Sequence, residues 1–318
     1  MRFAIIQLAL SFPQASNAIG NDHQSQRTSQ SKKQVVCRLI SIGVAEMDAI
    51  SCTEKADELY QDDKFDEAIP FYDKALEQDP VNAELYNRRG LALCHLERYQ
   101  EAIDSFDTAL KIDLQFTDAQ NNKGVVFYKQ KRYDEAMAFF DEIIRTNPRY
   151  VRAWYNKGVV LDRLGKHQEA VDYYDKTLEL NPGGARVWSN RGAALGNMGD
   201  FEAALDSFDR SITLQPERGE VWNNKGAALA KLHRYDEAMA HFDRAIQIDP
   251  ANADAWYNRG EAFRRLSQYM QAIENFERAI AVNARHARAW NSKGLALKAL
   301  GREEEADAAF AAGTQLLL

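Results

Sequence analysis

Apolar and small residues return along this chain at steps of four and three. In residues 151–184 they stand at Trp154, Gly158, Leu161, Ala170, Tyr174 and Thr177. Such steps keep side chains on one face of an α-helix. Two helices of about a dozen residues fit that stretch. The turn between them is polar or carries glycine, as in Gly165-Lys166, Gly199-Asp200 and Gly301-Arg302. The pattern then repeats. The pentad Trp-Tyr-Asn-Lys-Gly at 154–158 has counterparts at 188–192, 222–226, 256–260 and 290–294, and looser ones at 86–90 and 120–124. Seven glycines therefore fall 34 residues apart, from Gly90 to Gly294. A fixed period of this length predicts a solenoid of stacked units rather than one globular core.

The register divides residues 49–318 into eight units: 49–82, 83–116, 117–150, 151–184, 185–218, 219–252, 253–286 and 287–318. Proline punctuates them. Pro80, Pro148, Pro182, Pro216 and Pro250 all stand at unit position 32, where the second helix has ended. Pro70 falls near the first turn of a second helix, where its missing N–H is tolerable. Glycine at position 8 and alanine at position 20 (Ala68, Ala102, Ala136, Ala170, Ala204, Ala238, Ala272, Ala306) lack bulk where the two helices of a unit cross. The aromatic at position 24 (Tyr72, Phe106, Phe140, Tyr174, Phe208, Phe242, Phe276, Phe310) and the tryptophan at position 4 are expected to fill space toward neighbouring units. No unit can bury these faces alone, so stability comes from stacking.

Tryptophan or tyrosine at 4, glycine at 8, alanine at 20, Phe/Tyr at 24 and proline at 32 resemble the tetratricopeptide repeat, over about 85% of the chain. The resemblance implies an all-α fold, a right-handed superhelical solenoid of eight tandem helix-turn-helix units. It also implies a concave groove lined by the first helix of each unit, and a scaffold that binds peptides or protein segments there. Departures are Cys52 and Ala56 at positions 4 and 8 of the first unit, and Leu114 and Ala284 in place of proline. The last unit carries Ala308, Ala309, Ala311 and Ala312 where its siblings are polar or charged. Terminal repeats need a polar outer face. Self-association through this C-terminal repeat is therefore a competing reading to a smooth, alanine-rich end.

On the first helix, positions 2, 6, 9 and 13 share one face, which in the family looks into the groove. Position 6 is Asn122, Asn156, Asn190, Asn224 and Asn258 in five successive units, flanked by Arg88 and Ser292. Asparagine is a mediocre helix former, and its amide offers both a donor and an acceptor. A row of them can bond the backbone of an extended peptide, similar to the asparagine ladder in the repeat domain of O-linked N-acetylglucosamine transferase. The alternative is that each amide bonds its neighbours. Ten amide bonds at a net ~0.5–1 kcal/mol each give roughly 5–10 kcal/mol. Ordering the segment costs ~2–5 kcal/mol or more, so other groups must supply affinity. Arg152 and Arg186 at position 2, with Lys129, Arg163, Lys231 and Arg265 at position 13, form a basic strip on the same face. They point to a partner segment with acidic residues or a carboxylate terminus. Val159, Ala193 and Ala227 at position 9, beside Gly196 and Ala230, keep the middle shallow and apolar. No unit has the position-9 asparagine of the two-carboxylate clamp found in chaperone-binding relatives.

Position 7 is basic in all eight units and position 25 acidic in seven, which reads as a structural rim of solvated pairs.

Charge and composition narrow the classes further. The chain has 318 residues and a net charge of -7, which disfavours nonspecific nucleic-acid binding. Three cysteines without useful spacing read as a reducing compartment, with no disulfide framework and no zinc site, and the expected localisation is cytoplasmic. The longest apolar run, Phe3–Leu10, is too short to span a bilayer, so no membrane partner is expected. Residues 1–46 carry +3, lack the period, and are Ser/Gln/Lys-rich over 21–34. They read as an N-terminal extension, either a disordered tail or the product of a start codon upstream of Met47. Arg2, the apolar run and Ser16-Asn17-Ala18 also outline a secretory signal over residues 1–18, which keeps a secreted reading open. Six scattered histidines and the absence of a phosphate loop, zinc spacing or nucleophile elbow point to a non-catalytic protein without cofactor or metal. A structural protein and an accessory module of a partner enzyme remain as rivals to the peptide-binding scaffold.

Overall fold

The structure is a computed structural model that describes residues 47–316. The expectations for residues 1–46, tail, signal and start site alike, lie outside them. The described residues form sixteen helices and no strand. In chain order they are α1 (Ala49–Gln61), α2 (Phe65–Gln78), α3 (Ala83–His95), α4 (Tyr99–Ile112), α5 (Thr117–Lys129), α6 (Tyr133–Thr146), α7 (Val151–Arg163) and α8 (His167–Leu180). Then follow α9 (Ala185–Met198), α10 (Phe201–Leu214), α11 (Gly219–Lys231), α12 (Tyr235–Ile248), α13 (Ala253–Arg265), α14 (Tyr269–Val282), α15 (Ala287–Ala299) and α16 (Glu303–Gln315). Two compact units divide the chain after Glu101, inside α4.

In the first unit, α1 packs on α2 and α2 on α3. Asp48 caps α1 by accepting the Ser51 N–H at 2.7 Å, and Asn82 caps α3 by accepting that of Leu85 at 3.1 Å. Pro70 stands in the second turn of α2, one turn further in than its sequence position suggested. The helix runs through it. The carbonyl that loses a donor belongs to Asp66, an exposed residue that water can serve.

In the second unit, each odd-numbered helix from α5 to α15 packs against the even-numbered helix after it, and that helix against the next odd one. Successive odd-numbered helices also touch one another directly, whereas no pair of even-numbered helices packs comparably. The odd-numbered helices therefore line the inner side of the stack in this unit.

Packing within a pair rests on position 8. A Cβ built on Gly226 would stand 2.6 Å from Phe242 Cε1 and 3.1 Å from the Ala238 carbonyl oxygen. Gly192 against Phe208 and Gly260 against Phe276 each show 2.7 Å. The aromatic ring thus lies on the glycine of its own pair, where the sequence placed it toward a neighbouring unit. Tryptophan at position 4 departs from expectation as well. Trp154, Trp188, Trp222, Trp256 and Trp290 are half-buried. Each donates its indole N–H to the position-32 carbonyl just before its helix, Pro148, Pro182, Pro216, Pro250 and Ala284, at 2.7–3.1 Å. The indole pins the loop, and the prolines that end one helix present the acceptor for the next.

The turn inside each pair has one geometry. Position 15 adopts positive φ throughout: Asp63, Glu97, Lys131, His233 and Ser267 at 58–62°, and Gly165, Gly199 and Gly301 at 74–86°. Glycine alone takes this region without cost.

Position 7 is tied to position 25 of the preceding pair at every joint described within each unit. Arg191 pairs with Asp175 at 2.6 Å, Arg259 with Asp243 at 2.9 Å and Lys293 with Glu277 at 2.7 Å. Lys123 with Asp107, Lys157 with Asp141 and Lys225 with Asp209 form the same pair. In the first unit Arg89 pairs with Asp73. The basic side chains are largely covered, so the pairs are inter-repeat links rather than a free rim.

Candidate functional site

The inner face of the second unit collects most of the residues singled out by sequence. Asn122, Asn156, Asn190, Asn224 and Asn258 lie half-buried along it on α5, α7, α9, α11 and α13. Their amides are partly engaged. Asn156 Nδ2 donates to Asn121 Oδ1 at 2.8 Å, Asn190 Nδ2 to Tyr155 Oη at 3.1 Å, and Asn258 Nδ2 to Asn223 Oδ1 at 3.0 Å. Each bond runs from position 6 of one pair to position 5 of the pair before it. The neighbour-bonding alternative therefore holds for these three donors. Their carbonyl oxygens make no hydrogen bond among the described residues and are not sealed from solvent. Asn224 stands opposite Ser189, whose side chain is short, and makes no side-chain hydrogen bond among the described residues.

The basic strip divides in two. Lys129, Arg163, Arg186, Lys231 and Arg265 are exposed and make no ion pair among the described residues. Arg152, also exposed, pairs with Asp118 at 3.2 Å. In the first unit Arg88 is held by Glu84 at 2.8 Å and by Asp57, so its charge is already matched. Val159, Ala193, Ala227 and Ala230 are half-buried between the amides and the basic residues. A Cβ built on Gly196 meets nothing within 4 Å, so the face is open there.

Positions 5, 12 and 34 also contribute, and the spacing argument passed over them. Tyr150 at position 34 donates to Asp118 Oδ1 at 2.6 Å. His286, at the same register, accepts the Ala289 N–H on Nδ1 at 3.1 Å, which leaves Nε2 to donate to Asp254 at 3.3 Å. Tyr128 and Asp162 stand at position 12, and Asp162 Oδ1 lies 2.7 Å from His167 Nδ1. Burial pushes the Tyr155 and Tyr174 phenols up, so both stay protonated donors. Glu261 interrupts the apolar middle on α13. Burial raises its carboxyl, but hydrogen bonds from Arg264 and Ser292 outweigh that and hold it below the usual range. One signal was present in the sequence: tyrosine replaces phenylalanine at position 24 in Tyr72 and Tyr174, and the Tyr72 hydroxyl donates to Asp57 at 2.7 Å.

No group of three or more His, Cys, Asp or Glu side chains among the described residues is placed to hold a metal ion. No helix among them is long and apolar enough to cross a membrane.

Sequence models described as tetratricopeptide repeat match residues 53–115, 117–150, 151–183, 173–206, 190–253, 253–286 and 287–316. The chain belongs to the tetratricopeptide repeat family. No curated protein matches the sequence. Among solved structures, the chain is similar to a tetratricopeptide repeat protein from Parabacteroides merdae ATCC 43184. Identity is 17% and the TM-score 0.58, over 78% of this chain and 98% of that one. It is likewise similar to a chain of the APC/C hetero-tetramer Cut9–Hcn1, at 19% identity and TM-score 0.60, over 82% of this chain and 52% of that one. YrrB, a tetratricopeptide repeat protein with an unusual peptide-binding site, aligns at 26% identity and TM-score 0.47, over 58% of this chain and 95% of that one. The first two likenesses establish an all-α repeat fold. Arrays of this family are protein-interaction scaffolds, and this chain is one by its repeats.

Proposed function

We propose that the protein is a non-catalytic scaffold that holds an extended peptide segment along the inner face of the α5–α15 row. The observation that carries this reading is the line of half-buried amides, in which the carbonyls of Asn156, Asn190 and Asn258 make no hydrogen bond among the described residues. Asn156, Asn190 and Asn258 are oriented by bonds to the preceding helix, and Asn224 is unengaged. An oriented amide loses little rotamer freedom on binding, which favours capture of peptide N–H groups. The unpaired Lys129, Arg163, Arg186, Lys231 and Arg265 favour a segment rich in acidic residues or ending in a carboxylate. Residues 49–318 act as one binding array of eight repeats in this reading, and the cytoplasm, where thiols stay reduced, suits its free Cys52 and Cys94.

A peptide array probed with the wild-type chain and with Asn190→Ala plus Asn224→Ala tests the reading. Bound peptides should lose roughly tenfold or more in affinity on loss of two amides. Retention of every peptide at full affinity by the double variant would sink it.

Self-association is a second reading, favoured by one observation. Phe310 is half-buried, while Phe140, Phe208, Phe242 and Phe276 at the same register are at most 2% exposed, and Leu295 on the adjoining helix is 48% exposed. Sedimentation equilibrium at high concentration decides it: a monomer removes this reading.

A further inference from the structure

Five joints link successive odd-numbered helices in the second unit, from α5/α7 to α13/α15. Each is closed on its outer side. Lys157 reaches Asp141, Arg191 reaches Asp175, Lys225 reaches Asp209, Arg259 reaches Asp243 and Lys293 reaches Glu277, always from an odd-numbered helix to the even-numbered helix before it. Four of the five are closed on the inner side as well. Asn156 donates to Asn121 across α5/α7 at 2.8 Å, Asn190 to Tyr155 across α7/α9 at 3.1 Å, and Asn258 to Asn223 across α11/α13 at 3.0 Å. Tyr150, which begins α7, adds a bond to Asp118 of α5 at 2.6 Å. Across α13/α15, His286, which begins α15, reaches Asp254 at 3.3 Å, and Arg288 lies over the Tyr257 ring at 4.6 Å.

The joint between α9 and α11 has no such inner bond among the described residues. Asn224 of α11 has Ser189 at the register that holds Asn121, Tyr155 and Asn223 elsewhere, and the serine is too short to meet the amide. Arg218 begins α11, and the α9 residue at the register of Asp118 and Asp254 is Arg186. Two guanidiniums offer donors only and cannot bond each other. Arg218 turns instead to Glu220 of its own helix. Bulk is missing too. Positions 9 and 12 are Ala193 and Gly196 on α9, and Ala227 and Ala230 on α11. A Cβ on Gly196 would meet nothing within 4 Å. At each other joint at least one of the two helices carries larger groups there: Val125, Tyr128, Val159 and Asp162 on α5 and α7, and Glu261 and Arg264 on α13. The outer side of the α9/α11 joint is intact. Helix α10 packs on α11, and Val221 and Leu229 of α11 are at most 1% exposed.

We propose that the α9/α11 joint is a hinge on which the array opens and closes its inner face. The Lys225–Asp209 pair and the packing of α11 on α10 form the axis on the outer side. No bond among the described residues ties the inner side, and the small side chains leave α9 and α11 room to approach or part. A hinge confines movement to a few positions while the packed bodies on either side keep their shape. Here the bodies are α5 to α10 and α11 to α16, each held across its own joints by inner bonds. Movement at this joint changes the distance between Asn190 and Asn224, in the middle of the asparagine row. It leaves the spacing from Asn156 to Asn190 and from Asn224 to Asn258 unchanged. Collective hinge motions of this kind fall in the μs–ms range. The movement belongs to the array itself, whatever binds its inner face.

Double electron–electron resonance on the full chain tests the hinge. Spin labels are attached through a ketone-bearing amino acid, which leaves the native cysteines unlabelled. In one sample the labels replace Arg163 and Lys231, a span that crosses α7/α9 and α9/α11. In the other they replace Lys231 and Ala299, a span that crosses α11/α13 and α13/α15. All three residues are exposed and stand at unit position 13, so each span covers two joints in the same register. Freezing preserves the distribution of distances, and the Arg163–Lys231 distribution should be the broader. Ser189→Asn supplies the acceptor that Asn121 and Asn223 supply elsewhere, and it should narrow that distribution to the width of the Lys231–Ala299 span. Asn223→Ser removes the acceptor of Asn258 and should broaden the Lys231–Ala299 span. Equal widths for the two spans of the wild-type chain overturn the hinge. So does an Arg163–Lys231 width that Ser189→Asn leaves unchanged in a chain with wild-type circular dichroism. Where Ser189→Asn fails to fold, Asn223→Ser carries the test, because it only shortens a side chain, and an unchanged Lys231–Ala299 width then overturns the hinge.

Discussion

Asn190 Nδ2 donates to the Tyr155 hydroxyl at 3.1 Å across the joint between two helix pairs. One bond thereby joins two repeats and aims two polar groups at the inner face. Its coupling is measurable. Tyr155→Phe should cost about 0.5–1.5 kcal/mol, as should Asn190→Ala, but the pair together should cost less than the sum. Urea unfolding of the four chains gives the cycle. A coupling energy of zero would mean that the bond is not made in solution.

Gly226 is a packing residue. Gly226→Ala places a methyl 2.6 Å from the Phe242 ring, and overpacking should cost about 1–3 kcal/mol. Introducing Phe242→Leu alongside it removes the ring atom that clashes. The added cost of the alanine should then shrink, and an undiminished cost would place the strain elsewhere.

Position 15 offers stabilisation of predictable sign. Lys131 and His233 hold φ of 62° without being glycine. Lys131→Gly and His233→Gly should each raise the urea midpoint, by about 0.5–1 kcal/mol in stability. Gly165→Ala, at φ 76°, should lower it. The same sign for all three changes would contradict the strain argument.

His241 makes stability depend on pH. It lies against Trp222 with ring centroids 5.5 Å apart, and burial, aided by the Lys225 charge, holds its imidazole below the ordinary value of 6.5. The unfolded chain therefore binds the proton more readily than the folded one. The contribution is complete above pH 6.5 and is lost as pH falls through the folded value. His241→Phe, the residue type found at this register as Phe139, should flatten the stability profile below pH 6.5 and leave it unchanged above. Parallel profiles for the two chains at all pH values would remove His241 as the cause.

Much of the fold was legible because the repeat reports each position eight times. The glycine at 8, the alanine at 20 and the proline at 32 each announce a steric or backbone demand that does not depend on distant partners. Tryptophan was harder to read. Its size suggested core filling, whereas its indole N–H, which needs an acceptor, settles on the loop carbonyl beside it. Pro70 was misplaced by one turn because the start of α2 depends on the turn before it, which a period does not locate to the residue.

The candidate site was legible only in outline. The asparagine row and the free basic residues stand out by type and spacing alone. What each amide bonds is decided by position 5 of the preceding pair, thirty-five residues away in the chain: Asn121 for Asn156, Tyr155 for Asn190, and Ser189, too short to reach, for Asn224. The sequence by itself determined the helices, their pairing and the residues that cross closely, because those follow from local period and side-chain size. Only the tertiary structure decided which donors remain unmatched, because a hydrogen bond depends on where two side chains meet across a joint.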